Sequence, residues 1–352
     1  MPYPAPGELT PSEGLRFIES LTGFGRPYPV LIITGGDVLM RADAFELIAH
    51  ARSLGIPVGL APSVTPKLTD EAIHQFADLG VSIVSLSLDG AKATTHEHIR
   101  GVADHFDATI RSLERLVAAG FTVQVNTVVM RDNVTELPAI AQILKYIGVK
   151  VWEVFFLIPV GRGHDVRALD ASACEDVCHF LYDASAYDLI VRTVEAPFFR
   201  RVVSWRKTQG PDPTASPSQV ASQYHLGSLY ATMADELRTR MGAPSSAPRA
   251  QSTGTRDGKG IIFVSHNGVV YPAGFLPLPL GDIRERDLVS LYREHPLLKD
   301  IRAARFTGRC GECEYRDNCG GSRARAFALS SDPLGEDPAC AFTFSANTYA
   351  SR

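Results

Sequence analysis

The sequence has 352 residues, 45% of them hydrophobic, and a formal net charge of −4. This length allows two domains, and this composition allows a large buried core. The small negative charge provides no basic surface for nucleic acid or for an anionic membrane. No apolar run reaches the roughly 20 residues of a membrane-spanning helix. We therefore expect a cytoplasmic protein that binds neither nucleic acid nor membrane.

The first part of the chain, from Leu9 to about residue 159, alternates short β-rich runs with longer amphipathic runs. The first amphipathic run starts at Thr10 and Pro11, which suit a helix N-cap and the first helical position. Several later runs end in a glycine that favours a left-handed C-cap, namely Gly55, Gly80, Gly120 and Gly148. Apolar strands separated by helices predict a parallel sheet covered by helices, with its chemistry at the carboxyl ends of the strands.

Four of these predicted strand ends carry residues suited to ligand binding. They are Thr34-Gly35-Gly36-Asp37, Ser85-Leu86-Ser87-Leu88-Asp89-Gly90 with Arg100-Gly101 downstream, Val125-Asn126-Thr127-Val128-Val129, and Leu157-Ile158-Pro159-Val160-Gly161-Arg162-Gly163. In the first, two glycines let a ligand approach the backbone, and the Asp37 carboxylate can accept hydrogen bonds from an ammonium group. Each segment also has an ordinary explanation, as a turn, a polar strand end or a structural asparagine. Because they occur in order, one per strand, we interpret them together as a ligand site.

Four cysteines near the C-terminus form a C-x2-C-x5-C-x20-C pattern: Cys310, Cys313, Cys319 and Cys340. The first pair places two thiolates on one tight loop, and the other two can complete the coordination sphere of one metal centre. Four sulfurs without a nearby histidine suit either structural zinc or an iron–sulfur cluster. A disulfide framework fits less well, because the chain contains only six cysteines in 352 residues and begins without a signal segment.

The sequence around these cysteines, CGGSRARA followed by a D-P-x-C ending, resembles the C-terminal part of radical S-adenosylmethionine (SAM) proteins with SPASM-type auxiliary domains. The likeness is to the branch associated with heme biosynthesis, whose auxiliary region binds a [4Fe-4S] cluster. This resemblance favours iron–sulfur over zinc. It implies one auxiliary [4Fe-4S] cluster, with the four cysteines as its ligands.

The strand-end segments resemble the SAM-binding motifs of the same family, which implies a (β/α)6 barrel and SAM as a cofactor. Gly35, Gly36 and Asp37 are similar to a GGE motif that contacts the amino group of SAM, although aspartate has a shorter reach than glutamate. The other contacts that the resemblance implies are Ser87 to the ribose, Arg100 to the carboxylate, Asn126 on the next strand, and Gly161 in a loop behind the adenine.

The cluster motif of radical SAM enzymes does not occur in the printed sequence. Such enzymes hold a [4Fe-4S] cluster on C-x3-C-x2-C after the first barrel strand, whereas Cys174 and Cys178 have no third partner and suit free thiols on a helix. We expect a partial barrel that lacks its first βα unit and does not cleave SAM as written. The sequence is either truncated, which the unpaired strand edge favours, or a cluster-less descendant. The DNA upstream of Met1 would distinguish the two.

The chain divides into three predicted regions. Residues 1–208 form the incomplete radical SAM-type core, 209–258 a linker or lid rich in Pro, Ser, Gly and Ala, and 259–352 a small α+β SPASM- or twitch-type cluster domain. In the last region, Asn267-Gly268 predicts a two-residue hairpin turn. Beyond the barrel, we predict a strand followed by a basic helix. Its positive side chains could contact an acidic substrate or form a solvent-exposed face, and they are Arg200, Arg201, Arg206 and Lys207.

For an intact relative, the resemblance implies reductive cleavage of SAM to a 5′-deoxyadenosyl radical that abstracts hydrogen from a tetrapyrrole or peptide substrate. An electron donor such as ferredoxin or flavodoxin is then required. Arg323 and Arg325, beside Cys319, could bind substrate carboxylates or offset the charge of the cluster. Two further hypotheses are a non-catalytic iron–sulfur protein that presents a substrate to a partner enzyme, and a four-thiolate zinc domain.

Overall fold

The computed structural model describes residues 6–159, 167–210 and 215–343. Within these ranges, one sheet is parallel and a second, smaller sheet is antiparallel. The strands of the parallel sheet are β1 (Leu31–Ile33), β2 (Val58–Leu60), β3 (Ile83–Ser87), β4 (Thr122–Val129), β5 (Val151–Phe156) and β6 (Ile190–Val194). Those of the antiparallel sheet are β7 (Phe263–Val264), β8 (Val269–Tyr271) and β9 (Gly281–Asp282).

The parallel sheet follows chain order from β1 to β6, which confirms the predicted α/β class. One strand differs from the prediction. The sequence places the strand after residue 185 beyond the barrel, but the structure pairs it with β5, where Val191 aligns with Trp152. Both residues are 0% exposed, so the burial of β6 against helices explains its place in the sheet.

The α-helices of the described residues connect and follow the strands. They are α1 (Pro11–Ser20), α2 (Ala44–Ser53), α3 (Asp70–Asp78), α4 (Ala93–Arg100), α5 (His105–Ala118), α6 (Leu137–Ile147), α7 (Ala171–Ala184), α8 (Phe199–Thr208), α9 (Pro217–Tyr224), α10 (Ser228–Met241), α11 (Leu288–Glu294), α12 (Pro296–Arg302), α13 (Gly308–Glu312) and α14 (Arg323–Ser330). Thr10 and Glu13 form a capping box at α1. In the described part of the chain, no helix combines the length and apolar character needed to span a membrane.

The predicted C-terminal glycines have the backbone conformation that a helix end requires. Their φ values lie between 72° and 89°, at Gly55, Gly80, Gly120 and Gly148. Glycine adopts this left-handed conformation without the steric cost that a Cβ would add. These glycines therefore set where each helix stops and where the chain turns back toward the next strand.

The parallel sheet has one face packed against helices and one that is more open. Along β4, Val123, Val125 and Val129 are at most 1% exposed and belong to the main hydrophobic core. The alternate residues Gln124 and Asn126 are half-buried on the opposite side. We call this opposite side the open face. It carries the polar side chains described below.

Part of the stretch 209–258 is helical and packed against the core. Helix α10 lies on α6 and α7, where it buries Tyr230 and Met233. The Asp176 carboxylate accepts hydrogen bonds from the backbone N–H groups of Gly227 and Tyr230, at 2.8 and 3.1 Å, and so fixes the start of α10. The structure thus contains a helical layer in this stretch, whose role as a linker or lid stays a prediction.

The antiparallel sheet and α11 to α14 form a small α+β unit toward the C-terminus. Strands β7 and β8 pair as a hairpin around Asn267 and Gly268. Gly268 has a φ of 86°, which a two-residue turn of this kind needs. The predicted hairpin is therefore confirmed.

Candidate functional site

The loop after β1 places Gly35, Gly36 and Asp37 at the carboxyl edge of the sheet. A Cβ added to either glycine would meet no atom within 4 Å, and Gly35 has a φ of 148°. Both glycines therefore face open space, as the close approach of a ligand requires. The Asp37 carboxylate accepts hydrogen bonds from the Leu39 N–H at 3.1 Å and from Thr65 Oγ1 at 2.8 Å. Asp37 thus shapes the loop, and its contact with the SAM amino group stays a prediction.

Arg100 forms an ion pair inside the protein. Its Nε lies 2.7 Å from Oδ2 of Asp89, which is 1% exposed. Burial raises the pKa of Asp89, although the Arg100 charge and the hydrogen bond from Val128 N–H lower it. The Asp89 N–H in turn donates to His96 Nδ1 at 3.1 Å, and burial, with the charges of His105 and Arg100, lowers the pKa of His96 to about 3. Arg100 therefore stabilises the end of β3, and its contact with the SAM carboxylate stays a prediction.

Ser87 and Asn126 are register partners on β3 and β4, so two predicted SAM residues lie side by side. The next partners across the sheet are Glu153 and Arg192, which the sequence analysis missed. Gln124 Nε2 donates to Asn126 Oδ1 and to Glu153 Oε2, both at 2.8 Å. Burial raises the pKa of Glu153, whereas the Arg192 charge and the Gln124 hydrogen bond lower it. A continuous polar strip therefore crosses the open face.

Gly161, the remaining predicted SAM residue, lies outside the described residues, as do Arg162 and Gly163 of the same loop. The described chain stops at Pro159, just after β5, and resumes at Arg167. The predicted adenine loop therefore stays a prediction.

The four C-terminal cysteines line one cavity, which confirms that their spacing brings them together. Polar hydrogens point at their sulfurs in this cavity. The donors are the backbone N–H groups of Tyr315 to Cys313 and Gly321 to Cys319, each at 3.4 Å, that of Asp337 to Cys310 at 3.4 Å, and Arg323 Nη2 to Cys310 at 3.8 Å. The Phe342 N–H likewise hydrogen-bonds Cys340. Such donors stabilise thiolates, the form that binds a metal.

The paired glycines after Cys319 allow the chain to pass closely behind the cysteines. Gly320 and Gly321 have φ values of 68° and 64°. A Cβ on Gly321 would lie 2.6 Å from Asp337 Cβ and 3.1 Å from Cys310 Sγ. Larger residues are therefore excluded here by both backbone conformation and space.

Burial makes thiolates costly in this cavity unless a positive centre compensates. It raises the pKa of Cys313, that of Cys319 to about 12 and that of Cys340 to about 11. A bound metal supplies that compensation, because coordination deprotonates a thiol. Four converging thiols, their N–H donors and the close-packed glycines thus fit a thiolate-ligated metal centre.

Arg323 and Arg325 are buried and hold the cysteine loop together. They are 0% and 5% exposed. Arg323 Nη1 donates to Gly335 O at 2.6 Å, and Arg325 Nη1 lies 3.1 Å from Asp337 Oδ1. The sequence left two roles open for these arginines, binding substrate carboxylates and offsetting the charge of the cluster. Substrate binding is wrong for both residues, because their N–H donors are buried and already hydrogen-bond protein acceptors.

Arg256 contributes to the same loop from the end of the stretch predicted as linker or lid. Its Nη1 donates to Cys319 O and its Nη2 to Ile301 O, each at 3.0 Å. Its guanidinium also lies 5.1 Å from the ring centroid of Phe306. A single buried side chain thus joins two segments of the C-terminal unit.

Ser322 connects the cysteine unit to the end of β6. It caps α14, and its hydroxyl donates a hydrogen bond to Glu195. The Ser322 N–H donates to Asp337 Oδ2 at 2.8 Å, and the Ala324 N–H donates to Asp257 Oδ2 at 3.0 Å. Burial and the nearby Asp257 charge raise the pKa of Glu195 to about 8, although the Ser322 hydrogen bond lowers it.

The basic helix α8 turns Arg201 inward, so neither solvent nor an acidic ligand meets it. Arg201 is 2% exposed, and its Nη1 donates to Glu175 Oε1 at 2.9 Å. Its guanidinium lies 4.4 Å from the Trp205 ring and 5.0 Å from the Phe342 ring. Burial would raise the pKa of Glu175, but the His179 hydrogen bond and the Arg201 charge lower it to about 2.

Cys174 and Cys178 are free thiols on α7, as predicted, and both are buried. Burial raises the pKa of Cys174 to about 12 and raises that of Cys178 well above its ordinary value. Their protonated state and position in the core suit packing residues.

The overall fold of the chain matches that of solved structures. The structure of SuiB from Streptococcus suis bound to S-adenosylmethionine aligns with 95% of this chain and 70% of its own, with a TM-score of 0.65 and 14% identity. SuiB has also been solved with its precursor peptide SuiA. At this identity the likeness shows the fold alone.

The sequence comparisons define the family. The radical SAM superfamily profile matches residues 1–144. The AdoMet-dependent heme synthase of Oleidesulfovibrio alaskensis is 31% identical over 343 residues, covering 96% of this chain and 81% of that protein. The AdoMet-dependent heme synthase of Methanosarcina barkeri is 32% identical over 338 residues, covering 96% of this chain and 88% of that protein. The chain belongs to the radical SAM superfamily.

Proposed function

We propose that this protein acts in the radical SAM modification of a tetrapyrrole, with SAM at the ends of β1, β3 and β4 and one [4Fe-4S] cluster on Cys310, Cys313, Cys319 and Cys340. The observation that carries the proposal is the convergence of these four thiols on one cavity. The family relationship supports it, because heme synthases are 31% and 32% identical to this chain.

The relationship to the heme synthases and the four-thiol lining of the cavity favour a cluster over a single zinc ion. Among the described residues, no three His, Cys, Asp or Glu side chains are close enough to hold one metal ion. The four cysteines line one cavity, which suits a centre that contains its own bridging sulfides. When bound, a [4Fe-4S] cluster supplies one-electron chemistry. The four cysteines would hold it, and the neighbouring N–H donors would hydrogen-bond its thiolates.

The strand ends supply the contacts for SAM. Gly35 and Gly36 leave room for the ligand against the backbone, and Ser87 and Asn126 present neighbouring polar groups on the open face. In an intact relative, one-electron reduction of SAM bound there would yield methionine and a 5′-deoxyadenosyl radical that would take a hydrogen atom from the substrate. The electron would come from a donor such as ferredoxin or flavodoxin.

A second candidate is a non-catalytic protein that binds a cluster and presents a substrate to a partner enzyme. It is favoured by the positions of the six cysteines, because two are buried on α7 and four line the C-terminal cavity. None of the six lies in a C-x3-C-x2-C motif beside Asp37. The precursor peptide in the SuiB structure makes a peptide the alternative substrate for either candidate.

Reconstitution with iron and sulfide without oxygen distinguishes the two candidates. With SAM and a strong reductant, we expect no 5′-deoxyadenosine from the 352-residue chain. A version extended at its N-terminus by a strand and a C-x3-C-x2-C loop from a relative should hold about eight irons and produce 5′-deoxyadenosine. Cleavage by the chain itself would contradict this account of its cysteines. No cleavage by the extended version would favour the presenting protein.

A further inference from the structure

Four polar residues lie in one row across the parallel sheet. Ser87, Asn126, Glu153 and Arg192 are successive register partners on β3, β4, β5 and β6. Neighbouring strands lie about 4.8 Å apart, so the row spans about 14 Å, and Arg192 lies about 10 Å from Asn126. The strand-end motifs give SAM roles to Ser87 and Asn126 only, which leaves Glu153 and Arg192 without a function.

All four side chains are on the open face. Side chains alternate between the two faces of a strand, and each member of the row is next to a residue of the helix-packed core. These core neighbours are at most 2% exposed, namely Leu86, Val125, Trp152 and Val191. The row therefore borders the same space that the predicted SAM residues border.

Arg192 differs from the other arginines described above. Arg201, Arg323 and Arg325 each donate to an acceptor in the protein. Within the described ranges, the buried Nε of Arg192 has no hydrogen-bond partner, and the Arg192 charge acts on Glu153, whose pKa it lowers. The nearest acid, Glu153, is a hydrogen-bond acceptor for Gln124. Arg192 is half-buried, and a buried Nε–H without an acceptor costs free energy, so an anionic ligand would stabilise the guanidinium.

An aromatic surface adjoins this arginine. Phe155 is two residues beyond Glu153 on the same face of β5 and is the register partner of Val194 on β6. Phe275, from the segment between β8 and β9, packs edge-on against Phe155 with ring centroids 6.1 Å apart and is 42% exposed. A guanidinium on the same sheet face as a half-buried and an exposed aromatic ring suits a flat apolar molecule that carries acidic groups.

We propose that Arg192 binds a carboxylate of the tetrapyrrole substrate, with Phe155 and Phe275 against the ring, so that substrate and SAM lie side by side on the open face. This inference rests on the proposed function and names the substrate anchor of the same site. Burial raises the pKa of Glu153, and in its protonated form Glu153 can donate a second hydrogen bond to the same carboxylate. Gln124, which contacts both Glu153 and Asn126, then connects the substrate end of the row to the SAM end.

The test is the binding of coproporphyrin III, a porphyrin with four propionates, followed by its fluorescence in titrations of the full chain. Arg192→Gln should weaken binding roughly 10- to 100-fold, because a charge-assisted hydrogen bond is lost. Arg192→Lys should give an intermediate affinity, because lysine keeps the charge but not the planar fork. The matched control is Arg111→Gln, which removes the same charge from an exposed position on α5 and should bind as the wild type does. The tetramethyl ester of coproporphyrin III has no free carboxylate, so the wild type and Arg192→Gln should bind it with the same affinity.

Three outcomes would overturn the inference. If the wild type binds coproporphyrin III and Arg192→Gln binds equally well, the anchor is wrong while the proposed substrate class stands. If the wild type does not bind the porphyrin but SAM still protects it from unfolding, the tetrapyrrole is wrong while the SAM site stands. The third outcome is that the wild type binds a peptide with a free C-terminus but binds neither the amidated peptide nor the porphyrin. In that case the carboxylate that Arg192 binds is that of a peptide C-terminus. Circular dichroism of both Arg192 variants separates lost binding from lost folding.

Discussion

The hydroxyl of Ser322, at the start of α14, donates a hydrogen bond to the buried carboxyl of Glu195, at the end of β6. The two residues are 127 positions apart in the chain. One belongs to the parallel-sheet core and the other to the cysteine unit. This bond therefore fixes the cysteine loop relative to the sheet, and its strength depends on the protonation state of Glu195.

The first prediction is that Glu195 makes the protein less stable as the pH rises from about 4.5 to about 8. Burial and the Asp257 charge raise the folded pKa of Glu195 from 4.5 to about 8. Between these values the folded state binds more protons than the unfolded state, so the free energy of unfolding falls with pH, by roughly 1.4 kcal/mol per unit at most. Glu195→Gln should flatten this part of the profile, measured by urea unfolding at several pH values.

The matched control for Glu195 is Glu114→Gln, at an exposed position on α5. This variant should keep the pH dependence of the wild type. A Glu195→Gln profile identical to that of the wild type would mean that Glu195 titrates in its ordinary range.

The second prediction is that SAM stabilises the chain and that Gly36→Val removes this effect. At 100 times its Kd, SAM should add about 2.7 kcal/mol to the free energy of unfolding. A Cβ at Gly36 meets no protein atom within 4 Å, so the valine should fold but occupy the ligand's space. Melting temperatures with and without SAM provide the measurement.

For this experiment, Gly274→Val provides the comparison. A Cβ at Gly274 makes only an ordinary contact, 3.8 Å from Phe263, and the residue belongs to the segment between β8 and β9. Its melting temperature should still rise with SAM. Equal melting temperatures for the wild type with and without SAM would count against the pocket.

The third prediction concerns the metal centre. Reconstituted without oxygen, the protein should hold about four irons and absorb visible light as iron–sulfur proteins do. Cys313→Ala should lose the iron and the colour, because it removes one of the four thiols that line the cavity. Treatment of the wild type with a chelator should have the same effect.

Replacing the other two cysteines serves as the control. The double variant Cys174→Ala, Cys178→Ala removes buried thiols of α7 and should leave the iron content and the spectrum unchanged. If the wild-type protein contained zinc and no iron and were colourless, this result would support the four-thiolate zinc domain instead.

The fourth prediction is that Arg201 stabilises the interface between α7, α8 and the C-terminal segment. Arg201→Leu should lower the free energy of unfolding by about 3–5 kcal/mol, because it leaves the Glu175 carboxylate buried without its partner. Combining it with Glu175→Leu should recover part of the loss, because the unpaired charge is removed. Guanidinium unfolding curves of the two variants measure both effects. A loss in Arg201→Leu no larger than in Arg111→Leu would show that the pair adds little.

The α/β class and the series of strands and helices up to β5 could be predicted because their signals are local. Apolar runs, the Thr10 cap and the glycine C-caps act within a few residues of where they occur. The convergence of the cysteines was also predictable, since Cys310, Cys313 and Cys319 lie within one short segment.

The polar partners could not be predicted, because they depend on long-range packing. Asp257 and Ala324 are 67 residues apart, and Arg192 reaches its place beside Glu153 only through the register of β6 with β5. The inward direction of Arg201 on a helix that looks basic was missed for the same reason. Asp337 alone had a local signal, in the D-P-x-C ending.

The position of Arg256 decides where the cysteine unit can be cut from the rest of the chain. Its guanidinium donates to the Cys319 and Ile301 carbonyls, while the next residue, Asp257, accepts the Ala324 N–H. A fragment starting at residue 259 would leave the Cys319 carbonyl and the Ala324 N–H without these partners, and the Ile301 carbonyl would keep only its backbone donor from Ala304. An excised unit that starts a few residues before Arg256 keeps all three hydrogen bonds, so the two fragments should differ in protease resistance and in iron retention.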